Sequence, residues 1–517
     1  MICSSEYTRD PNFYRTVLEP NGMDDGDVDD LHRYHNWYAP SSFVTDARFA
    51  AELKRNGGHR PLIGQEMSTG YPDLDTGLPV RRYTRDLLTP QAWVGQWAYP
   101  GQDPAVFLDH HRAVTKRWAE RLRFERGTNT AGFLLFAAEC WFAHSYDPAT
   151  VKPYPVLAAV RDAWAPVGLA WETGRRRFYA GETVATAVFV TNDDEQGRDL
   201  AGLSLEMVCQ DNQGGRPLQR VPLGRLPKLS YYETARVPVQ IQLPEISADR
   251  VPLRLTLILK QDGRELGSTT DQIEVFAQPP TRPRLAAVAT AISLGPQMRQ
   301  LAEGIFADLH ENLAKGDTRP GVVLLGPSAS LKPLEAGGSL QRAVQAGATL
   351  IVFAPDKSLV DLFPEALLEA GAAVAEFADF TPLRTTPLGR GLAPMDLKWW
   401  GRTDDARMFV ASQSHRLRPD GPAREMVRYI PPHGYLAAER LPEQYRTVLF
   451  ELLIGAGRIW VCDLDCEETV GVDPAARRFA GNLLRAAAAP DALRGLTPFP
   501  SHEQSLRGIA DPASGDR

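Results

Sequence analysis

The chain has 517 residues, of which 43% are hydrophobic and 23% are charged, a balance typical of globular proteins rather than disordered ones. Its formal net charge of −7 argues against a nucleic-acid partner, and no run of eighteen apolar residues predicts a membrane span. A chain of this length can hold about two to four domains. Of its five cysteines only Cys462 and Cys466 are close in sequence, and no second Cys or His pair completes a zinc site. We therefore expect free thiols, no metal and no cofactor.

An aspartate-rich segment lies near the start of the chain, with five carboxylates between Asp24 and Asp30. Carboxylate oxygens bind Ca²⁺ and Mg²⁺, but this spacing does not match the helix–loop–helix calcium site. We favour a solvated loop before a strand, and a cation site with oxygen ligands is the alternative.

The segment Arg60–Pro72 predicts a strand followed by a loop. Leu62 and Ile63 have the apolar character of a strand interior, whereas Ser68, Gly70 and Pro72 are loop residues. Glu66 is therefore expected at the carboxyl end of a strand, where (β/α)₈ enzymes hold their catalytic groups. Taken alone, the segment favours a carboxylate that is solvated or paired with Arg60.

A second segment upstream makes the pattern more specific. His32-Arg-Tyr34-His-Asn-Trp-Tyr38, followed by the Glu66 segment, resembles the sixth and seventh barrel strands of glycoside hydrolase family 2, which includes β-galactosidases, β-glucuronidases and β-mannosidases. The resemblance implies a retaining β-glycosidase in which Glu66 is the nucleophile, Tyr34 hydrogen-bonds it and His32 contacts the substrate. His32 replaces a common Asn and Met67 a common aromatic residue, so the sugar stays open, with β-galactosides slightly favoured.

The segment Ala131–Trp141 resembles the eighth strand of the same family, with Phe136 in place of a Trp and Glu139 in place of an Asp. The resemblance implies that Trp141 contacts a sugar ring. A tryptophan packed under the barrel rim is an equally weighted alternative.

A helix is predicted between these strands. Asp103 can cap it and Pro104 suits its first turn. Apolar residues then recur every three or four positions from Phe107 to Leu122, which predicts one stripe that packs on the barrel. The pair His110-His111 is expected to combine packing with surface exposure.

The remaining sequence predicts two further domains and a tail. Residues 168–278 alternate with a period of two and contain a Gln261-Asp-Gly263 hairpin signal, which favours an immunoglobulin-like β-sandwich. Residues 285–490 alternate strands with helices, which predicts a parallel α/β sheet that resembles a non-catalytic, amidotransferase-like domain with a scaffolding role. Its Leu325–Ser330 turn has no Gly-flanked nucleophile. Residues 491–517 read as a mobile tail.

The predicted fold is thus multidomain α/β plus β, with residues 1–165 forming the C-terminal half of a (β/α)₈ TIM barrel. A retaining glycosidase also needs a general acid/base, which the family takes from an Asn-Glu dipeptide. This sequence has no such dipeptide, and Glu6 is the nearest acid. We therefore expect the chain to be the C-terminal portion of a longer glycosidase, with Asn-Glu encoded before Met1.

The predicted partner is a carbohydrate substrate, with no nucleic acid and no membrane, and a homo-oligomer is left open. The alternative from another class is a non-catalytic protein, derived from a glycosidase, that binds carbohydrates or protein partners. A third hypothesis, hydrolase chemistry in the C-terminal domain, is disfavoured by the missing nucleophile.

Overall fold

The structure is a computed structural model that describes residues 3–4, 20–21, 27–34, 61–68, 72, 76–77, 103–126, 130–136, 138–172, 175–212, 217–280, 282–312, 321–375, 386–398, 400–401, 410–429 and 446–489. The chain divides into two compact units, and the described part of the first ends at Ala277. Both units are rich in β-strands, and each is built around its own sheets. Among the described residues, no helix combines the length and apolar character that crossing a bilayer requires.

The first unit opens with a four-stranded parallel sheet in the order β1-β2-β3-β4. Its strands are β1 (Cys3–Ser4), β2 (Val28–Tyr34), β3 (Leu62–Ser68) and β4 (Thr130–Phe136). This is a half-barrel sheet, and the predicted strands around Leu62 and after Thr130 are confirmed. One expectation is wrong: Asp29 and Asp30 lie inside β2, where the aspartate-rich segment was predicted to be a loop.

Helix α1 (Pro104–Phe124) connects β3 to β4, and it begins as predicted. The carboxylate of Asp103 accepts a hydrogen bond from the Ala105 backbone N–H at 2.9 Å. Burial extends well beyond the predicted apolar stripe, because both histidines and several charged side chains of the helix are also buried. The expected surface exposure of His110-His111 is therefore wrong. Burial lowers the pKa of His111 to about 3, so its imidazole is neutral at ordinary pH.

A short helix, a two-stranded sheet and two larger sheets follow in the first unit. The chain continues through a 3₁₀ turn (Ala138–Trp141), the β5–β6 hairpin (Phe142–Ala143, Lys152–Pro153) and helix α2 (Pro155–Ala163). A five-stranded sheet (β11-β10-β13-β14-β8) and a three-stranded sheet (β12-β9-β7) then share one apolar core. Their strands are β7 (Val167–Glu172), β8 (Arg177–Tyr179), β9 (Thr183–Asn192), β10 (Leu203–Asp211), β11 (Gln219–Arg225), β12 (Thr234–Gln242), β13 (Arg250–Gln261) and β14 (Arg264–Phe276).

The predicted hairpin is confirmed. Strands β13 and β14 are joined by Asp262 and Gly263 alone, and both residues have positive φ (51° and 82°). Two successive positive φ angles match the tight turn whose twist suits antiparallel strands.

The second unit contains a nine-stranded mixed sheet in the order β16-β15-β17-β18-β23-β22-β20-β19, with β21 paired to β22. Its strands are β15 (Leu285–Ile292), β16 (Phe306–His310), β17 (Val322–Leu325), β18 (Thr349–Phe353), β19 (Leu367–Ala375), β20 (Ala411–Leu417), β21 (Ala423–Tyr429), β22 (Arg446–Ile454) and β23 (Gly457–Cys462). Its helices are α3 (Pro296–Ile305), α4 (Ser339–Gln345), α5 (Ser358–Leu362), α6 (Cys466–Thr469) and α7 (Pro474–Ala487), with 3₁₀ turns at Lys332–Leu334, Pro387–Gly389 and Pro394–Leu397.

The four strands predicted here, β15, β17, β18 and β23, are adjacent and parallel. Their residues alternate between two separate hydrophobic clusters, one on each face of the sheet. The prediction of an all-parallel sheet is wrong for the other half, because strands β19 to β22 are antiparallel. Cys462 and Cys466 are free thiols, as expected, and so is Cys209 in the first unit.

Candidate active site

The candidate site lies at the carboxyl edge of the half-barrel sheet, the edge where its parallel strands end. Tyr34 is the last residue of β2, Ser68 the last of β3 and Phe136 the last of β4. Carboxyl ends of parallel strands meet at one edge, which is where barrel enzymes hold their reactive groups. The three segments that resemble the glycosidase family therefore converge on one part of the fold.

The backbone register aligns the predicted site residues of β2 and β3. His32 is the direct partner of Glu66, and Tyr34 is the partner of Ser68. Because strand residues two apart return to the same face, positions 32, 34 and 66 belong to one face of the sheet. Glu66 is the fifth residue of a seven-residue strand, so two strand residues follow it. The expectation that Ser68 is a loop residue is wrong, because Ser68 pairs with Tyr34 as the last residue of β3. The side chains of His32, Tyr34 and Glu66 lie outside the described residues.

Trp141 ends the 3₁₀ turn that follows β4, beyond the same carboxyl edge. Its side chain is half-buried, and its backbone carbonyl accepts a hydrogen bond from the Tyr154 N–H at 2.7 Å. This anchor fixes the backbone at Trp141 to the start of helix α2. A half-buried ring is compatible with both predicted roles, a sugar contact and packing under the rim.

Helix α1 positions β4 beside β3, and buried charges hold the helix in place. Lys116 Nζ donates to Glu120 Oε1 at 2.7 Å and to Asp271 Oδ1 of β14 at 3.0 Å. Burial favours the neutral amine, but the two carboxylates outweigh it and raise the pKa of Lys116. Burial also raises the pKa of Glu120. The polar face of the helix is thus buried against the sandwich, a contact that local sequence patterns did not predict.

The second unit has a carboxyl edge of its own, where two residues directly after parallel strands have a positive φ: Ser293 after β15 (56°) and Ala354 after β18. Ala354 directly follows β18 and has a positive φ of 43°. A sharp turn after a strand with a positive φ suits a nucleophile, but alanine has no reactive atom. Ser293 does have a hydroxyl, and it is exposed. The Leu325–Ser330 turn considered in the sequence follows β17, the strand between β15 and β18.

A buried histidine–aspartate pair lies near the turn at Ala354. His415 Nδ1 is 2.6 Å from Asp463 Oδ2, and both side chains are fully buried. Gln413 Nε2 donates to Asp463 Oδ1 at 3.0 Å and to the Pro355 carbonyl at 2.8 Å. Within the described residues, His415 Nε2 has no hydrogen-bond partner, so no hydroxyl or thiol there completes a catalytic triad. The sequence pattern did not single out this pair.

Comparisons with known proteins find distant similarity of fold. No family model matches the sequence, and no curated protein matches it. The exo-chitosanase CsxA of Amycolatopsis orientalis is similar over 47% of this chain and 30% of its own, at 12% identity and a TM-score of 0.28. The sporulation control protein Spo0M of Bacillus subtilis is similar over 23% of this chain and 51% of its own, at 13% identity and a TM-score of 0.18.

The CARDB domain of the PF1109 protein of Pyrococcus furiosus is similar over 22% of this chain and 92% of its own, at 12% identity and a TM-score of 0.16. The chain spans about half the length of Spo0M and under a third of the exo-chitosanase. Similarities at these TM-scores indicate nothing about the chemistry of this chain.

Proposed function

We propose that the chain holds the nucleophile of a retaining β-glycosidase, with Glu66 in that role and terminal β-galactosides as the favoured substrates. The observation that supports this most strongly is the backbone register. It aligns Glu66 with His32 near the carboxyl edge of a parallel sheet, and the neighbouring strand ends two residues later at Tyr34.

The proposed chemistry is a double displacement. The Glu66 carboxylate attacks the anomeric carbon, a C–O ester bond forms, and the glycosidic C–O bond breaks with its electron pair leaving on the aglycone oxygen. Water then attacks the same carbon and releases Glu66 as a carboxylate. Tyr34 is proposed to donate a hydrogen bond that favours the ionised form of Glu66, and His32 and Trp141 are proposed to contact the sugar.

We propose a matching domain organisation: half of a TIM barrel at 1–165, an immunoglobulin-like sandwich at 168–278 and an amidotransferase-like scaffold at 285–490. The packing of two sheets around one core supports the sandwich.

The test uses an aryl galactoside whose leaving group needs no protonation. 2,4-Dinitrophenyl β-galactoside can transfer its sugar to Glu66 without a general acid, because dinitrophenolate is a stable anion. We expect a burst of about one dinitrophenolate per chain, the sign of a covalent intermediate. Glu66→Gln should reduce the rate of this burst by at least about 10³-fold, because an amide is a poor nucleophile.

Asp29→Asn is the matched control, since Asp29 lies at the other end of the neighbouring strand β2. It should keep the burst. A Glu66→Gln chain that releases dinitrophenolate as fast as the parent would exclude Glu66 from the chemistry.

A further inference from the structure

The first unit contains a cavity of about 420 Å³ that the proposed glycosidase site does not use. It lies between the end of α1, strand β4 and two loops of the sandwich. Its lining combines aromatic rings with a small charged cluster, namely Phe133, Trp164, Tyr231, Tyr232, Asp193 and Arg126. Cavities of this size with apolar walls and a few fixed polar groups are the usual form of small-ligand sites.

Three of the aromatic rings are unusually exposed for their size. Trp164 is 39% exposed, Tyr231 48% and Tyr232 37%. Within the described part of the chain, neither the Trp164 indole N–H nor the Tyr231 hydroxyl has a hydrogen-bond partner. Flat apolar faces with polar tips directed to water are suited to a ligand that is apolar on one side and hydroxylated at its rim.

The polar wall of the cavity is a fixed carboxylate. Asp193 Oδ2 accepts from Arg123 Nη2 at 2.8 Å, and Asp193 Oδ1 accepts from Arg126 Nη1 at 2.6 Å. The arginine side chains are only 11% and 9% exposed, whereas that of Asp193 is 28% exposed. The more exposed member of the cluster is therefore a hydrogen-bond acceptor, which suits neutral hydroxyl donors.

The ring of Tyr232 is held rigidly in this wall. The Arg126 guanidinium lies 3.8 Å from the ring centroid, and Arg126 Nη2 donates to the Tyr232 carbonyl at 2.9 Å. The Tyr232 hydroxyl donates to the Thr130 carbonyl of β4. Tyr232 also has a positive φ of 66°, a strained conformation for a residue with a side chain. Such strain is concentrated at functional sites, where surrounding contacts enforce it.

We propose that this cavity binds a pyranose ring of a neutral saccharide, stacked on Trp164 with its hydroxyls donating to Asp193. A second cavity of about 560 Å³ shares Trp164 and Pro166 with the first, so an adjacent sugar ring has a place beside it. The ligand is accordingly an oligosaccharide. The choice of a sugar over another neutral polyol rests on the proposed function.

The experiment measures binding by titration calorimetry on the full chain that carries Glu66→Gln. The probes are four neutral β-1,4-linked tetrasaccharides built from glucose, galactose, mannose or N-acetylglucosamine, together with the corresponding monosaccharides. We expect at least one tetrasaccharide to bind, and to bind at least about tenfold more tightly than its monosaccharide, because two cavities are filled.

Trp164→Ala should weaken this binding at least about tenfold, and Tyr231→Ala should weaken it less, because Tyr231 lines only the first cavity. Tyr146→Ala is the control, since Tyr146 is 83% exposed and lines neither cavity. It should bind as the parent does. All the substituted side chains are substantially exposed, and equal thermal midpoints would show that the variants fold alike.

Three results would overturn the proposal: no binding of any of the four tetrasaccharides, unchanged binding by Trp164→Ala, or tighter binding of trigalacturonate than of every neutral probe. The two proposals fail separately. If tetrasaccharide binding depends on Trp164 but Glu66 gives no dinitrophenolate burst, the glycosidase proposal is refuted and the cavity proposal stands. If the burst occurs without such binding, the cavity proposal is refuted and the glycosidase proposal stands.

Discussion

The half-barrel sheet and the parallel half of the second unit's sheet differ in the residues at their carboxyl edges. In the half-barrel sheet, the edge region contains Glu66, aligned with His32, and the strand end at Tyr34. In the second unit, the corresponding edge has the strained Ala354 after β18 and a fully buried His415–Asp463 pair. Both edges have the location expected of an active site, and Glu66 at the first edge is the residue to which the proposed reaction is assigned.

This difference teaches that topology selects where a site can be, while individual side chains decide whether there is one. Buried charge has a structural role in both units. In the first unit it fixes a helix to a sheet, and in the second it links the ends of neighbouring strands.

The largest expected change in stability concerns the first unit. Lys116→Met leaves the Glu120 and Asp271 carboxylates buried without their cation, so the free energy of unfolding should fall by about 3–5 kcal/mol. Hydrogen exchange measured by mass spectrometry tests this prediction, because the exchange in α1 and β14 should become faster. Lys228→Met removes an exposed ion pair and should leave the free energy of unfolding nearly unchanged. Equal effects of the two variants would contradict the structural role of the buried pair.

The contrast between the two carboxyl edges would be wrong if the His415–Asp463 pair were catalytic. Asp463→Ala deprives His415 and Gln413 of a buried acceptor, so it should destabilise the second unit by about 3 kcal/mol. The dinitrophenolate burst at 20 °C should be unchanged. Asp361→Ala, at an exposed position, should alter neither quantity. A folded Asp463→Ala chain without a burst would assign chemistry to the second unit.

The second unit should also become less stable as the pH rises towards neutrality. Burial raises the pKa of Glu467 to about 7, although its carboxylate accepts a hydrogen bond from the Gly295 N–H at 2.9 Å. A raised folded-state pKa gives stability that is complete below the unfolded value, near 4.5, and is lost as the pH rises through about 7.

Glu467→Gln should remove this part of the pH dependence, as measured by urea unfolding between pH 4.5 and 8. Glu468→Gln is the control, because Glu468 is the next residue and its side chain is exposed. The prediction would be refuted if the free energy of unfolding of the parent, compared with that of Glu467→Gln, increased from pH 4.5 to pH 8.

The smallest effect tests the strained turn itself. Ala354→Gly relieves a positive φ that costs about 1 kcal/mol, partly offset by the greater freedom of glycine in the unfolded chain. A gain below about 1 kcal/mol in the free energy of unfolding is expected. The same change at Ala343, inside helix α4, should lose about 1 kcal/mol. A loss at both positions would mean that Ala354 is not strained.

Local patterns predicted much of the fold. The Asp103-Pro104 helix start and the Asp262-Gly263 turn depend on short-range chemistry, so the sequence alone was sufficient for them. Period-two alternation located the sandwich strands. The pairings of β19 with β20 and of β20 with β22 are between distant strands, which local patterns do not show. The β22–β23 hairpin, joined by Gly455 and Ala456 alone, is local and was missed as well.

Long-range contacts explain what sequence patterns could not predict about the sites. Lys116 and Asp271 are 155 residues apart, so nothing near α1 signals that its polar face is buried. Trp164 and Tyr231 line one cavity although they belong to different elements. The Glu66 position was predictable because two short motifs follow one another on adjacent strands, and the register adds that it pairs with His32.

The most direct test of Glu66 as the nucleophile is covalent trapping with 2,4-dinitrophenyl 2-deoxy-2-fluoro-β-galactoside, read out by peptide mass spectrometry. The fluorine slows hydrolysis of the ester, so the sugar should remain on the enzyme. We predict one added fluorogalactosyl group, on the peptide that contains Glu66, and none on Glu66→Gln. A label on another carboxylate, or equal labelling of Glu66→Gln, would contradict the assignment.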